Sequence, residues 1–102
     1  MKIAIIGGGA AGMMVAATLC EQNVSVTIHI FEKNTVLGKK VMISGGGRCN
    51  VTTGYTDRAL VESKYVRGAT FLRSAMAAFG PEKVRAWFEH QGVPLKNEDD
   101  FR

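Results

Sequence analysis

The chain carries its chemistry-bearing residues in two glycine clusters and one carboxylate between them. Gly7-Gly8-Gly9-Ala10-Ala11-Gly12 follows the short apolar run Ile3-Ala4-Ile5-Ile6 and opens the charge-free segment Met13 to Cys20. A strand, a GxGxxG turn and a helix start form the arrangement in which backbone N–H groups cradle a pyrophosphate. Gly7 can take the positive φ of a tight turn, and Gly9 has no Cβ to keep a phosphate from the backbone. Gly12 lets the helix pack close to the strand. The helix opened by Ala10 and Ala11 then offers unpaired N–H groups and a partial positive charge. Glu32 stands twenty residues after Gly12, with Lys33 beside it. A carboxylate there can accept hydrogen bonds from a ribose, and its charge repels a 2′-phosphate. Taken alone, Glu32 also reads as a solvated strand-end residue. The same geometry serves FAD and NAD, so this motif does not choose between them.

The second cluster runs Gly38-Lys39-Lys40-Val41-Met42-Ile43-Ser44-Gly45-Gly46-Gly47-Arg48-Cys49-Asn50-Val51-Thr52. Three successive glycines between Ser and Arg-Cys-Asn suit a loop whose backbone lies against a ligand. Lys39, Lys40 and Arg48 can offset phosphate charge, with Arg better suited to planar, bidentate contacts. Ser44 and Asn50 can hydrogen-bond a cofactor edge or close local turns. A flexible surface loop with solvated lysines is the plainer alternative, yet a mere linker has no need of Arg-Cys-Asn.

These residues need elements to hold them. Residues 2–6 read as a strand buried on both faces, because the apolar run does not alternate with polar residues. Residues 10–22 read as a helix so apolar that most of its sides must be covered, with Asn23 as its stop. Val26 to Phe31 alternates and is β-branched, which predicts a second strand with His29 opposite Val26, Ile28 and Ile30. Two parallel strands joined by one helix make a βαβ unit. Past residue 53 a short helix is expected near Asp57. Apolar residues at 71, 72, 75, 76 and 79 then trace one face of a longer one. Pro81 suits the first position of a further helix, with Val84, Trp87 and Phe88 as its buried stripe and Gly92 as its cap. Trp87 reads as core packing and His90 as a solvated helix-end residue. Val93-Pro94-Leu95 begins something extended.

Bulk properties narrow the class. At 102 residues this is one domain at most, and 46% hydrophobic content argues against disorder. The net charge of +4 comes from Lys and Arg scattered along the chain, so no nucleic-acid face is expected. Two cysteines, Cys20 and Cys49, have no metal spacing and no CxxC; Cys20 reads as a small buried thiol. No metal site is expected. Nothing suggests a secreted disulfide scaffold, a cleaved leader or a transmembrane span, so a cytoplasmic protein without membrane partners is the expectation.

GxGxxG, Glu32-Lys33, Gly38-Lys39-Lys40 and SGGGRCN at 44–50 together resemble a bacterial family of FAD-dependent oxidoreductases. These are akin to aminoacetone oxidase-like and bile-acid ene-reductase-like flavoproteins. The resemblance implies an α/β fold. It makes residues 1–102 the N-terminal portion of a Rossmann-type, glutathione-reductase-like FAD-binding domain, a βαβ unit followed by helices. It implies that Gly9, Ala11 and Gly12 meet the pyrophosphate and Glu32 the adenosine ribose. Lys40, Ser44 and Gly46 would line the later part of the cofactor, with Gly45, Arg48 and Asn50 in the same loop. The likeness is strongest over residues 1–52, and Thr53 departs from the family's usual Asn. Cys49 belongs to the motif but has no resolving cysteine nearby in sequence.

Three functions follow as expectations. The first is an FAD-dependent oxidoreductase acting on a small-molecule substrate, with NAD(P)H as an electron donor, represented here by its cofactor-binding end. The second is an NAD-dependent dehydrogenase segment, against which the second cluster speaks. The third is a catalytically inert truncated product. No catalytic acid or base stands out, and substrate and oligomeric state are not legible.

Overall fold

The computed structural model describes residues 1–22 and 25–98. The expected helix stop at Asn23 lies outside the described residues. The chain divides into two compact units, Met1–Cys49 and Asn50–Arg102.

The first unit is a βαβ arrangement. Strand β1 (Lys2–Ile6), helix α1 (Ala10–Glu21) and strand β2 (Thr27–Phe31) follow in order, then helix α2 (Lys39–Ile43) and a 3₁₀ turn over Ser44–Gly47. The strands pair in parallel, with Lys2 opposite Thr27 and Ile6 opposite Phe31. A parallel pair cannot be closed by a hairpin, and α1 supplies the crossover. Ile3, Ile5, Ile28 and Ile30 share one face of the pleat, and Ile5 on that face is buried. The alternate residues face the other way. Ala4 and His29 are exposed, Ile6 is 82% exposed and Phe31 57%. The expectation of a strand buried on both faces is therefore corrected: β1 is covered on one face only. An apolar run records a preference for burial, while burial itself needs an opposing layer.

The same correction applies to α1. It forms where expected and lies against both strands, yet none of its residues is buried. Cys20 is exposed rather than enclosed.

The second unit is helical. Asp57 caps α3 (Arg58–Ser63): its Oδ1 accepts from the N–H groups of Ala59 at 2.8 Å and Leu60 at 3.3 Å. Helix α4 (Ala69–Phe79) meets α5 (Pro81–His90) at Gly80, with Pro81 on the first turn, where its missing N–H costs no bond. Gly92 takes φ +80° just past α5, and the N–H of Val93 donates to Phe88 O at 3.0 Å, which ends the helix as expected. Val61 of α3 is the buried core residue of this unit. Around it lies a cavity of about 400 Å³ lined by Val51, Met76, Phe79 and Val84 among others. Of the expected α4 stripe, Leu72 and Met76 are half-buried, whereas Phe71 is 86% exposed and Ala75 and Phe79 are exposed too. Val84, Trp87 and Phe88 are likewise half-buried rather than enclosed. Trp87 meets Phe88 edge-on, with ring centres 4.9 Å apart, in keeping with a packing role. Residues 93–95 belong to no strand. Among the described residues, no helix is long and apolar enough to cross a membrane.

Candidate dinucleotide-binding site

The first glycine cluster forms a turn from the end of β1 into α1. Gly7 adopts φ +99°, and its N–H donates to Phe31 O at 2.8 Å, tying the turn to β2. Gly9 precedes α1 with extended backbone, and a Cβ built there meets nothing within 4 Å. That open space is the cradle a phosphate group would fill. No side chain caps α1 and no acidic residue sits in its first turn. The N–H groups of Ala10, Ala11 and Gly12 thus keep the positive end of the helix free of a competing carboxylate. A Cβ on Gly12 would collide with the Gly7 carbonyl oxygen and come 3.2 Å from Ile5 Cγ2, so glycine is what lets α1 approach β1.

Gly8, the unspecified middle residue of the motif, holds this turn. It is buried, and its N–H donates to Glu32 Oε2 at 2.8 Å. Its carbonyl accepts from Gly38 N–H at 2.7 Å. The backbone of one residue therefore links the glycine turn, the end of β2 and the start of the second cluster. The other Glu32 oxygen, Oε1, accepts from both Asn34 N–H at 2.9 Å and Asn34 Nδ2 at 2.5 Å. The backbone N–H of Asn34, then that of Gly8, holds the Glu32 carboxyl below its ordinary value against a smaller opposing effect of desolvation. Glu32 is thus ionised and aimed at the turn, half-buried, while neighbouring Lys33 is exposed.

The second cluster is more regular than the loop expected for it. Gly38 enters α2 in the left-handed region at φ +67°, and Lys39 and Lys40 stand exposed on this one-turn helix. Ser44 Oγ donates to Val41 O at 2.8 Å, so the hydroxyl proton closes the helix end rather than facing a ligand. Gly45, Gly46 and Gly47 follow at φ +59°, +67° and +86°, a left-handed run that only glycine adopts without strain. Cys49, at φ +54°, is the one residue other than glycine at positive φ among the described residues. Arg48 folds back on this run, its Nε donating to Gly45 O at 3.3 Å. Asn50 belongs to the second unit, where it lines the cavity.

The structure brings Gly7, Gly9, Gly12 and Glu32 together and joins them to Gly38, which carries Lys39 and Lys40. Sequence reasoning passed over Gly8 and Asn34. The signal for Gly8 was a third consecutive glycine where the motif asks for two. The signal for Asn34 was an amide side chain two residues beyond a carboxylate, a spacing at which Asn closes local turns.

A parallel βαβ unit with a glycine turn, an uncapped helix N-terminus and a strand-end carboxylate defines a Rossmann-type nucleotide-binding domain. The chain belongs to the family described as the HI0933-like protein Rossmann domain, whose family model matches residues 1–102. It is 28% identical over 100 residues to a 3-dehydro-bile acid delta(4,6)-reductase of Clostridium scindens, covering 98% of this chain and 24% of that protein. It is 37% identical over 96 residues to a ribosomal RNA dihydrouridine synthase of Haemophilus influenzae, covering 93% of this chain and 22% of that protein. A protein of the same description from Escherichia coli is 36% identical over 75 residues, covering 74% of this chain and 18% of its own length. The chain thus spans less than a quarter of these relatives. The family resemblance read from the sequence is met, and a bile-acid reductase is among the relatives.

Proposed function

We propose that this chain is the ADP-binding end of an FAD-dependent reductase. The observation that carries the reading is the meeting of the Glu32 carboxylate with the Gly8 N–H at 2.8 Å, beside an open turn at Gly9 and an uncapped α1. In this reading the first-turn N–H groups of α1 bind the pyrophosphate, with Gly9 leaving room for it, and Glu32 accepts from the adenosine ribose. Lys39, Lys40 and Arg48 balance the diphosphate charge, and the backbone of Ser44 to Gly46 borders the remainder of the cofactor. FAD is favoured over NAD because a simple NAD site has no need of the second cluster. The free thiols of Cys20 and Cys49 suit a cytoplasmic setting.

The relatives' names support a narrower reaction class. A delta(4,6)-reductase and a dihydrouridine synthase both describe addition of hydrogen across a carbon–carbon double bond conjugated to a carbonyl. The flavin supplies two-electron transfer from a reduced nicotinamide to such a bond. The substrate is a small conjugated ketone in the first reading. A uridine within ribosomal RNA is the second, favoured by the two relatives at 37% and 36% identity.

The test uses the protein at its full length. A flavin absorbance band that NAD(P)H bleaches without oxygen, and that an added dienone or an rRNA transcript restores, supports the proposal and names the substrate. Protein that binds NAD but neither retains nor takes up flavin overturns it.

A further inference from the structure

The second unit holds space that its helices leave unfilled. Its cavity of about 400 Å³ lies within the range of sites that take drug-sized molecules, roughly 300–1,000 Å³. Val61, 5% exposed, forms part of the floor, and Val51, Met76 and Val84 give apolar walls. Tyr65 and Phe79 line the cavity too and are each 42% exposed, so it reaches solvent on their side. Among the described residues, no Lys, Arg, Asp or Glu lines it. A strand of RNA brings phosphate charge that calls for cations, whereas an uncharged ring system needs apolar walls and a few polar groups. One such group is Asn50, which lines the cavity and directly follows Cys49 of the second glycine cluster in the chain. Its amide can donate to a ketone oxygen.

We propose that this cavity holds the apolar body of a small conjugated ketone, with the Asn50 amide donating to its oxygen. The proposal rests on the reductase reading above and favours its first substrate over its second, because the uncharged lining suits a ketone better than a uridine within ribosomal RNA.

The experiment uses the full-length protein, as purified and after flavin removal, and progesterone as the probe, a conjugated ketone of steroid size. Calorimetry gives the affinity, and amide hydrogen exchange maps where the probe sits. Progesterone binds with or without flavin and slows exchange over residues 50–53 and 76–84. Val84→Phe, which fills the cavity from α5, weakens progesterone about tenfold while ADP affinity stays within twofold. The protection pattern in wild type stands whether or not that variant folds. Binding without protection of those residues overturns the proposal and leaves the reductase reading standing. So does wild-type protein that binds no progesterone yet reduces its flavin with NAD(P)H. Flavin that by itself protects residues 76–84 also overturns it, because the cavity then holds the cofactor ring. Protein that takes up no flavin yet binds progesterone at these residues keeps the site and removes the reductase.

Discussion

Gly12→Ala tests whether the close approach of α1 to β1 sets the geometry of the glycine turn. The new methyl would overlap the Gly7 carbonyl oxygen and lie 3.2 Å from both the Gly7 carbonyl carbon and Ile5 Cγ2. None of these can yield by a rotamer change alone. Gly7 is held to β2 through Phe31 O, and Ile5 is the buried residue of the sheet. The helix must therefore shift. Overpacking of this kind costs about 1–3 kcal/mol. Alanine returns up to about 1 kcal/mol of helix propensity over glycine. With the full return the net is about 0–2 kcal/mol of local destabilisation, toward the upper end because the overlapped atom is a backbone carbonyl oxygen. Amide hydrogen exchange of the peptide spanning β1 reads it directly, because about 1.4 kcal/mol is a tenfold faster exchange through local opening. ADP affinity of the same full-length variant falls about tenfold as the helix N–H groups leave the phosphate. Gly9→Ala separates the two effects, since its Cβ meets nothing within 4 Å in the free chain. It leaves β1 exchange within twofold of wild type and weakens ADP binding alone. Unchanged β1 exchange in Gly12→Ala, or equal losses in the two variants, refutes the reasoning.

Three further outcomes follow from the geometry. The Glu32 carboxyl lies below its ordinary value of 4.5, so its bonds to Gly8 and Asn34 persist above that pH and are lost only as pH falls through the lowered value. The Glu32 carboxyl resonance, followed by NMR from pH 8 downward, begins to titrate only below 4.5; a transition centred above 4.5 contradicts the assignment, and Glu32→Gln lacks that transition and binds ADP more weakly at neutral pH. Asp57→Ala removes the acceptor for two N–H groups of α3 and costs about 1 kcal/mol, seen as faster exchange over residues 58–63 with ADP binding unchanged. Gly80→Ala places a methyl 2.6 Å from Met76 O, a backbone atom of α4, and costs about 1–3 kcal/mol by urea unfolding; a neutral result means the α4–α5 junction relaxes freely.

Features decided within a few residues were legible in the sequence. Gly7 at positive φ, Asp57 as a helix cap, Pro81 on a first turn and Gly92 past a last turn all follow from backbone sterics and local hydrogen bonds. The strand and helix positions of the βαβ unit were legible for the same reason, since a period-3.6 or β-branched pattern needs no distant partner. Burial was not legible. Ile6, Phe31 and Phe71 are as apolar as Ile5 and Val61, yet they stand largely exposed while those two are enclosed. Side-chain type gives the preference, and the opposing surface decides the outcome. The second cluster differed in another way: the sequence pointed to a loop over all of it, whereas Lys39–Ile43 form a short helix and successive left-handed glycines make a tight turn behind it.

The site residues sort by the same distinction. A motif names positions where the backbone geometry is special, and Gly7 at positive φ and Gly12 against the Gly7 carbonyl were legible that way. It does not name the group that keeps the backbone in place before a ligand arrives. Here that role falls to the Gly8 backbone, its N–H anchored by the Glu32 carboxylate and its carbonyl by the Gly38 N–H. A turn of three successive glycines loses more conformational entropy on ordering than any other tripeptide, so free in solution it would sample many shapes. Charge-assisted acceptance by Glu32 opposes that loss. On the proposed ADP reading, the carboxylate that would meet the ribose also holds the turn that would meet the phosphates, and substitution of Glu32 then weakens both halves of the ADP contact together. A loss confined to the ribose, with inorganic pyrophosphate affinity unchanged in Glu32→Gln, would separate the two roles and remove the coupling.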